Sequence, residues 1–231
     1  MSQSSPQAAP GPSSQTGRSS REFDFLCACA CVEPVPDRVA RIADWNGSPF
    51  DWSELLRLAE HHGVLPLVAR NLSAHARGLP SHAEQSLRSA FDTNARRNLW
   101  FASELIRIAD HFEKKNIRAI PYKGPMLAES AYGDVALRNF GDLDFLISPA
   151  DFEQAKHALG KLGYRPSSAL SPAVERFWLR NGYERSFDSA AGKYLVELQW
   201  GLLPRFFAVD FRIGDLLARS RPASRRLQPG C

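Results

Sequence analysis

Apolar positions along residues 21–116 recur every three or four residues. Leu55, Leu58 and Ala59 follow Ser53, which reads as a helix cap, and Leu87, Phe91, Ala95, Leu99, Ala102, Leu105, Ile106, Ala109 and Phe112 keep the same spacing over a long stretch. Side chains at that interval share one face of an α-helix, so the pattern predicts an all-helical N-terminal region over 21–116. His61 and His62, just before Gly63, read as the end of one of these helices, where a cation suits the dipole better than it suits a ligand set.

At Ile117 the period changes. Residues 117–122 are short and rich in β-formers, and Lys123-Gly124-Pro125 closes them with a turn that leads into a helix from Met126 to Tyr132. Leu143 to Ile147 reads as a strand, and Ser148-Pro149 opens a helix through Phe152, Ala155, Ala158 and Leu159 that Gly163 ends. Two further strands, around Tyr183 to Phe187 and Tyr194 to Trp200, flank a turn at 188–193 and should pair antiparallel. Residues 117–212 therefore form a mixed α/β part. Residues 213–231 supply one short helix, Ile213 to Arg219, and a basic tail without an apolar face, and residues 1–20 have too little to bury to offset the entropy of ordering.

Composition narrows the class. A hydrophobic content of 44% in 231 residues is enough for one substantial core or two small ones. No run reaches the roughly eighteen uncharged apolar residues a membrane span needs, and the first residues lack the apolar centre of a secretion signal, so the expectation is a cytoplasmic protein with no membrane partner. A net charge of +4 suits a polyanionic partner such as a nucleotide, but the excess is small. Cys27, Cys29 and Cys31 match neither a zinc knuckle nor a disulfide framework. They read as reduced thiols on the buried side of a first helix, with no metal cluster. The five tryptophans follow no stacking rhythm and read as core.

Chemistry concentrates in Asn139-Phe140-Gly141-Asp142-Leu143-Asp144-Phe145-Leu146-Ile147. On a strand, residues two apart point to one face, so the carboxylates of Asp142 and Asp144 converge. Neighbouring like charges repel unless a cation lies between them, and magnesium is the natural candidate. Alternation in Leu195 to Trp200 places Glu197 on the face opposite Val196 and Leu198, where it joins the pair if the two strands are neighbours. Such a trio can hold two magnesium ions about 3.5–4 Å apart. Lys123 and Gly124 at a strand-to-helix turn offer an ammonium and close backbone approach for phosphates, and Arg138 offers a further cationic contact or pairs with a local carboxylate.

Taken together, Lys123-Gly124-Pro125, Tyr132, the run from Arg138 to Ile147, Gly163-Tyr164 and Val196-Glu197-Leu198-Gln199-Trp200 resemble the uncharacterised nucleotidyltransferase family of the polymerase-beta superfamily over about residues 117–203. The resemblance implies an α+β fold: a small mixed β-sheet nucleotidyltransferase core backed by helices and preceded by the all-helical region. It also implies magnesium-dependent transfer of a nucleoside monophosphate from an NTP. Asp142, Asp144 and Glu197 would be the catalytic and metal-binding acids, and Lys123, Gly124 and Arg138 would contact the nucleotide. The acceptor hydroxyl stays open among protein, RNA and small molecules. This sequence departs from the pattern in two places: the turn reads Lys-Gly-Pro where the wider superfamily has Gly-Gly or Gly-Ser, and Gln199 stands where the family commonly shows histidine. Family members are usually longer after the catalytic region. The alternative expectation is thus a catalytically impaired module that binds or senses a nucleotide on the same fold.

Overall fold

The computed structural model describes residues 20–45, 50–204, 207 and 213–220. The expected leader, apart from Ser20, and the basic tail beyond Ser220 lie outside the described residues.

Four helices open the chain: α1 (Arg21–Cys29), α2 (Pro36–Ala43), α3 (Trp52–His61) and α4 (Leu65–His75). They bury Phe25, Leu26, Ile42, Leu55, Val68 and Leu72 in one core, together with Ala83 and Leu87 from the start of α5 (Ser81–Lys114). At 1.5 Å per residue, α5 is about 51 Å long. Its second half enters another core, where Phe101, Leu105, Ile108 and Phe112 pack on the sheet. One helix thus ties the helical region to the mixed part.

Several local readings are corrected. The cap of α3 is Asp51, whose side chain accepts from the Glu54 N–H at 3.0 Å, and Ser53 sits inside the first turn. Starting there lets Trp52 reach the core. Cys29 is buried and Cys31 partly so, but Cys27 faces outward, because consecutive odd positions on a helix diverge by about 200°. Burial pushes the Cys29 thiol up to about 12, with the neighbouring Cys31 adding to the rise and Arg41 opposing it. Trp52 and Trp200 are core, as expected, whereas Trp100 is 61% and Trp178 42% exposed. His61 and His62 do end α3, before Gly63 at φ +66°.

The sheet has five strands in the order β1-β2-β5-β4-β3: β1 (Ala119–Pro121), β2 (Asp142–Ile147), β3 (Tyr164–Pro166), β4 (Glu184–Ser189) and β5 (Leu195–Gln199). β2 and β5 run parallel, and the other pairs are antiparallel, including the expected β4–β5 pair. The observed strands are shorter than the sequence predicts at Ile117, Tyr122 and Trp200. One face carries Leu143, Phe145, Ile147, Val196, Leu198 and Phe187 against α5 and α7 (Phe152–Lys161). Strand alternation sends Asp142, Asp144, Glu197 and Gln199 to the other face. There, among the described residues, α9 (Ile213–Arg219) covers the far end, packing Ile213 and Leu217 on Leu146.

Between β1 and β2 the chain makes a single turn of α-helix, α6 (Gly124–Leu127), which runs on as a π-turn to Tyr132 and a 3₁₀ turn at Val135–Leu137. β3 and α8 (Pro172–Asn181) were not anticipated. The signal for α8 was present in Ser171-Pro172, since the Ser171 side chain accepts from the Val174 N–H as a cap. No helix among the described residues is long and apolar enough to cross a membrane.

Candidate metal centre

β2 and β5 lie side by side in parallel, so residues paired across them point the same way. Asp144 pairs with Glu197, and the apolar Leu143 and Val196 pair on the opposite face. This register follows from burying Leu143, Phe145, Val196 and Leu198 completely; sliding either strand by one residue would drive the acids into the core. As a result one carboxylate oxygen from each of Asp142, Asp144 and Glu197 lies within 4.8 Å of the others. Asp144 is 1% exposed, and the other two are half-buried.

Gln199 sits beside the acids, 2% exposed. Its Nε2 lies 2.8 Å from Asp144 Oδ1, 2.8 Å from Glu197 Oε2 and 3.3 Å from Glu184 Oε2, while its Oε1 accepts from the Tyr122 hydroxyl. Lys123 Nζ donates to the same Asp144 Oδ1 at 2.8 Å. Asp144 Oδ2, by contrast, is buried without a hydrogen-bond partner among the described residues.

The electrostatics follow from this crowding. Burial raises the Asp142 carboxyl and the charge on Asp144 raises it further, with Lys123 and Arg138 pulling the other way. Burial, then repulsion from Glu184, pushes Glu197 up to about 7; the Gln199 hydrogen bond opposes the shift, and Asp144 and Asp142 add to it. Burial alone would lower the Lys123 ammonium, but its bond to Asp144 and that carboxylate's charge hold it above the ordinary lysine value. Three convergent hard oxygen donors, two of them raised by burial and mutual repulsion, and one bare buried oxygen make a donor set suited to magnesium or a similar divalent cation.

The residues expected to meet the nucleotide are placed around the trio in different ways. Lys123 stands at the turn and is drawn onto Asp144. Gly124 adopts φ +50°, and a Cβ there would sit 3.1 Å from the Asp142 carbonyl oxygen, so glycine lets the turn lie against the start of β2. The α-helix beyond it is only four residues long, so its N-terminus adds little to phosphate binding. Arg138 lies half-buried in the loop before β2, its guanidinium 5.8 Å from the Phe140 ring and its Nη1 unpaired among the described residues. Asn98, fully buried on α5, holds that loop by donating to the carbonyls of Val135 at 2.6 Å and Arg138 at 2.7 Å.

Sequence reasoning missed Glu184 and the linking roles of Gln199 and Tyr122. Glu184 pairs with Gln199 across β4–β5, which puts it on the acidic face. Glu184 lies inside the expected Tyr183–Phe187 strand, but the register that sets it opposite Gln199 depends on the turn, and β4 runs two residues further than expected, to Ser189. Asn98 left no signal, because a polar residue on a long helix looks like a solvent position until a loop packs over it.

No curated protein matches this chain in sequence. A family model described as uncharacterised nucleotidyltransferase matches residues 48–228, taking in the long helix, the sheet and all three acids. The chain therefore belongs to that uncharacterised nucleotidyltransferase family.

Proposed function

We propose that this protein is a nucleotidyltransferase of the polymerase-beta type, moving a nucleoside monophosphate from an NTP to an acceptor hydroxyl with magnesium held by Asp142, Asp144 and Glu197. The observation that carries the reading is the meeting of the three carboxylates on one sheet face, with Asp144 Oδ2 buried and, among the described residues, bare. When bound, magnesium supplies charge neutralisation for the triphosphate and polarises its phosphoryl oxygens.

The remaining work falls to the chain itself. Lys123 and Arg138 contribute positive charge beside the acids and steady the triphosphate. The acceptor oxygen forms a bond to the α-phosphorus as the bond to the bridging oxygen breaks, and pyrophosphate leaves. The hydroxyl proton passes to a carboxylate, and Glu197, half-buried beside Asp144, is placed to receive it. Core packing behind β2 and β5 keeps the acids rigid during the exchange.

The test is incubation with each α-labelled NTP, magnesium and a cell lysate as the source of acceptors, comparing the wild type with an Asp142→Ala/Asp144→Ala double variant. Label transfer by the wild type alone is expected; equal transfer by both proteins overturns the reading. A second reading, a nucleotide-binding module without turnover, draws on the Lys123 and Gln199 contacts that already satisfy Asp144 Oδ1. It expects a magnesium- and NTP-dependent rise in melting temperature with no label transferred.

A further inference from the structure

Asp144 has two carboxylate oxygens that the fold treats differently. Oδ1 accepts from Lys123 Nζ and Gln199 Nε2, each at 2.8 Å, whereas Oδ2 is buried with no partner among the described residues. A buried carboxylate oxygen left bare is unfavourable unless a ligand meets it.

Gln199 and Lys123 create the asymmetry together, and Gln199 extends it to a second acid. The Tyr122 hydroxyl donates to its Oε1, which turns the amide NH2 toward the acids. A flipped amide would set a carbonyl oxygen against carboxylates and lose both bonds. The NH2 group has two protons, yet three acid oxygens lie in reach: Asp144 Oδ1 and Glu197 Oε2, both at 2.8 Å, and Glu184 Oε2 at 3.3 Å. The two shorter contacts take the protons, so the amide links one acid on β2 to one on β5 and leaves Glu184 out. Lys123 cannot do this alone. Its side chain is 44% exposed on a flexible stem, and its ion pair is with Asp144, not with Glu197.

Building on the function proposed above, we infer that Gln199, anchored by Tyr122, is a positioning residue for divalent-cation binding. It joins Asp144 Oδ1 to Glu197 Oε2 so that Asp144 Oδ2 is the oxygen presented to the cation. Gln199 does not touch the cation; it acts through the two acids, as outer groups orient the ligands of other metal sites.

The experiment uses Mn²⁺ alone as the probe, titrated into the full chain and followed by electron paramagnetic resonance of the free ion. Gln199→Met keeps the length of the side chain and removes its donor; about 10–100-fold weaker Mn²⁺ binding is expected, with little change in melting temperature. Gln199→His keeps an N–H donor and should recover part of the loss, and Tyr122→Phe should weaken binding in the same direction by less. Affinity for Gln199→Met within about twofold of the wild type overturns the inference. If that variant does not fold, Tyr122→Phe decides, and unchanged affinity there overturns it equally. The Asp142→Ala/Asp144→Ala variant separates the two levels. Binding lost there but kept in Gln199→Met defeats the positioning role alone, whereas binding that survives the loss of both aspartates, or is missing from the wild type, defeats the proposed metal site and this inference with it.

Discussion

Asp144 and Glu197 stand directly opposite each other on the parallel β2–β5 ladder, and Gln199, two residues beyond Glu197 on the same face, bonds to both. Two carboxylates from strands 53 residues apart in the chain are thereby held as one unit. Like charges at that spacing destabilise the metal-free fold, so the arrangement carries a stability penalty that a cation relieves.

The two aspartates should therefore answer substitution differently. In EDTA, Asp142→Asn removes a half-buried charge that repels Asp144, and stability should hold or rise by less than about 1 kcal/mol after solvent screening. Asp144→Ala leaves Lys123 and Gln199 without their shared acceptor and should cost roughly 1–3 kcal/mol. Urea denaturation of the two variants checks this, and equal losses would contradict the division of roles.

Gly124 gives a separate prediction. At φ +50°, and with the Asp142 carbonyl oxygen 3.1 Å from where a Cβ would sit, alanine meets both backbone strain and a close contact. Gly124→Ala should cost about 1–2 kcal/mol and should also weaken Mn²⁺ binding, because the contact presses on the first residue of β2. A variant as stable as the wild type in urea would show that the turn relaxes away from the strand.

Asn98 ties α5 to the loop that delivers Asp142. Replacing it with leucine orphans the carbonyl of Val135 and leaves that of Arg138 only the longer bond from Asn94 Nδ2 at 3.4 Å, for an expected loss of roughly 1–3 kcal/mol. Hydrogen exchange should then speed up across residues 133–141 before it changes in β2.

A pH dependence follows from Glu104. Burial pushes its carboxyl up, but hydrogen bonds from Arg107 and Tyr164 outweigh burial and leave it below the ordinary value. A carboxylate held low in the folded state adds stability above its unfolded pKa and loses it as pH falls through the folded value. Glu104→Gln should thus be less stable than the wild type at neutral pH by about 1 kcal/mol at most, discounted for its partial exposure. The gap should close below about pH 4, and thermal melts at stepped pH measure it. A gap that widens in acid would reverse the assigned sign.

Much of this was legible in the chain. Helical periodicity announced α5, and the alternation in Asp142 to Ile147 and in Leu195 to Gln199 assigned every acid to its face, because burial of Leu143, Phe145, Val196 and Leu198 leaves a strand only one orientation. Less visible were α8 and β3. α8 has no buried residue, so it lacks the strong apolar face that periodicity detects, and β3 is three residues long with two exposed.

The sequence by itself determined which residues are acids on strands, which strands have a buried side, and that a glycine turn precedes them, since these depend on local period and backbone freedom. Only the tertiary structure decided that β2 and β5 are neighbours, that Gln199 links Asp144 to Glu197, that Lys123 shares Asp144 Oδ1 and that Glu184 joins the same face. Those facts depend on sheet order and on distances between side chains far apart in the chain, which no local pattern encodes.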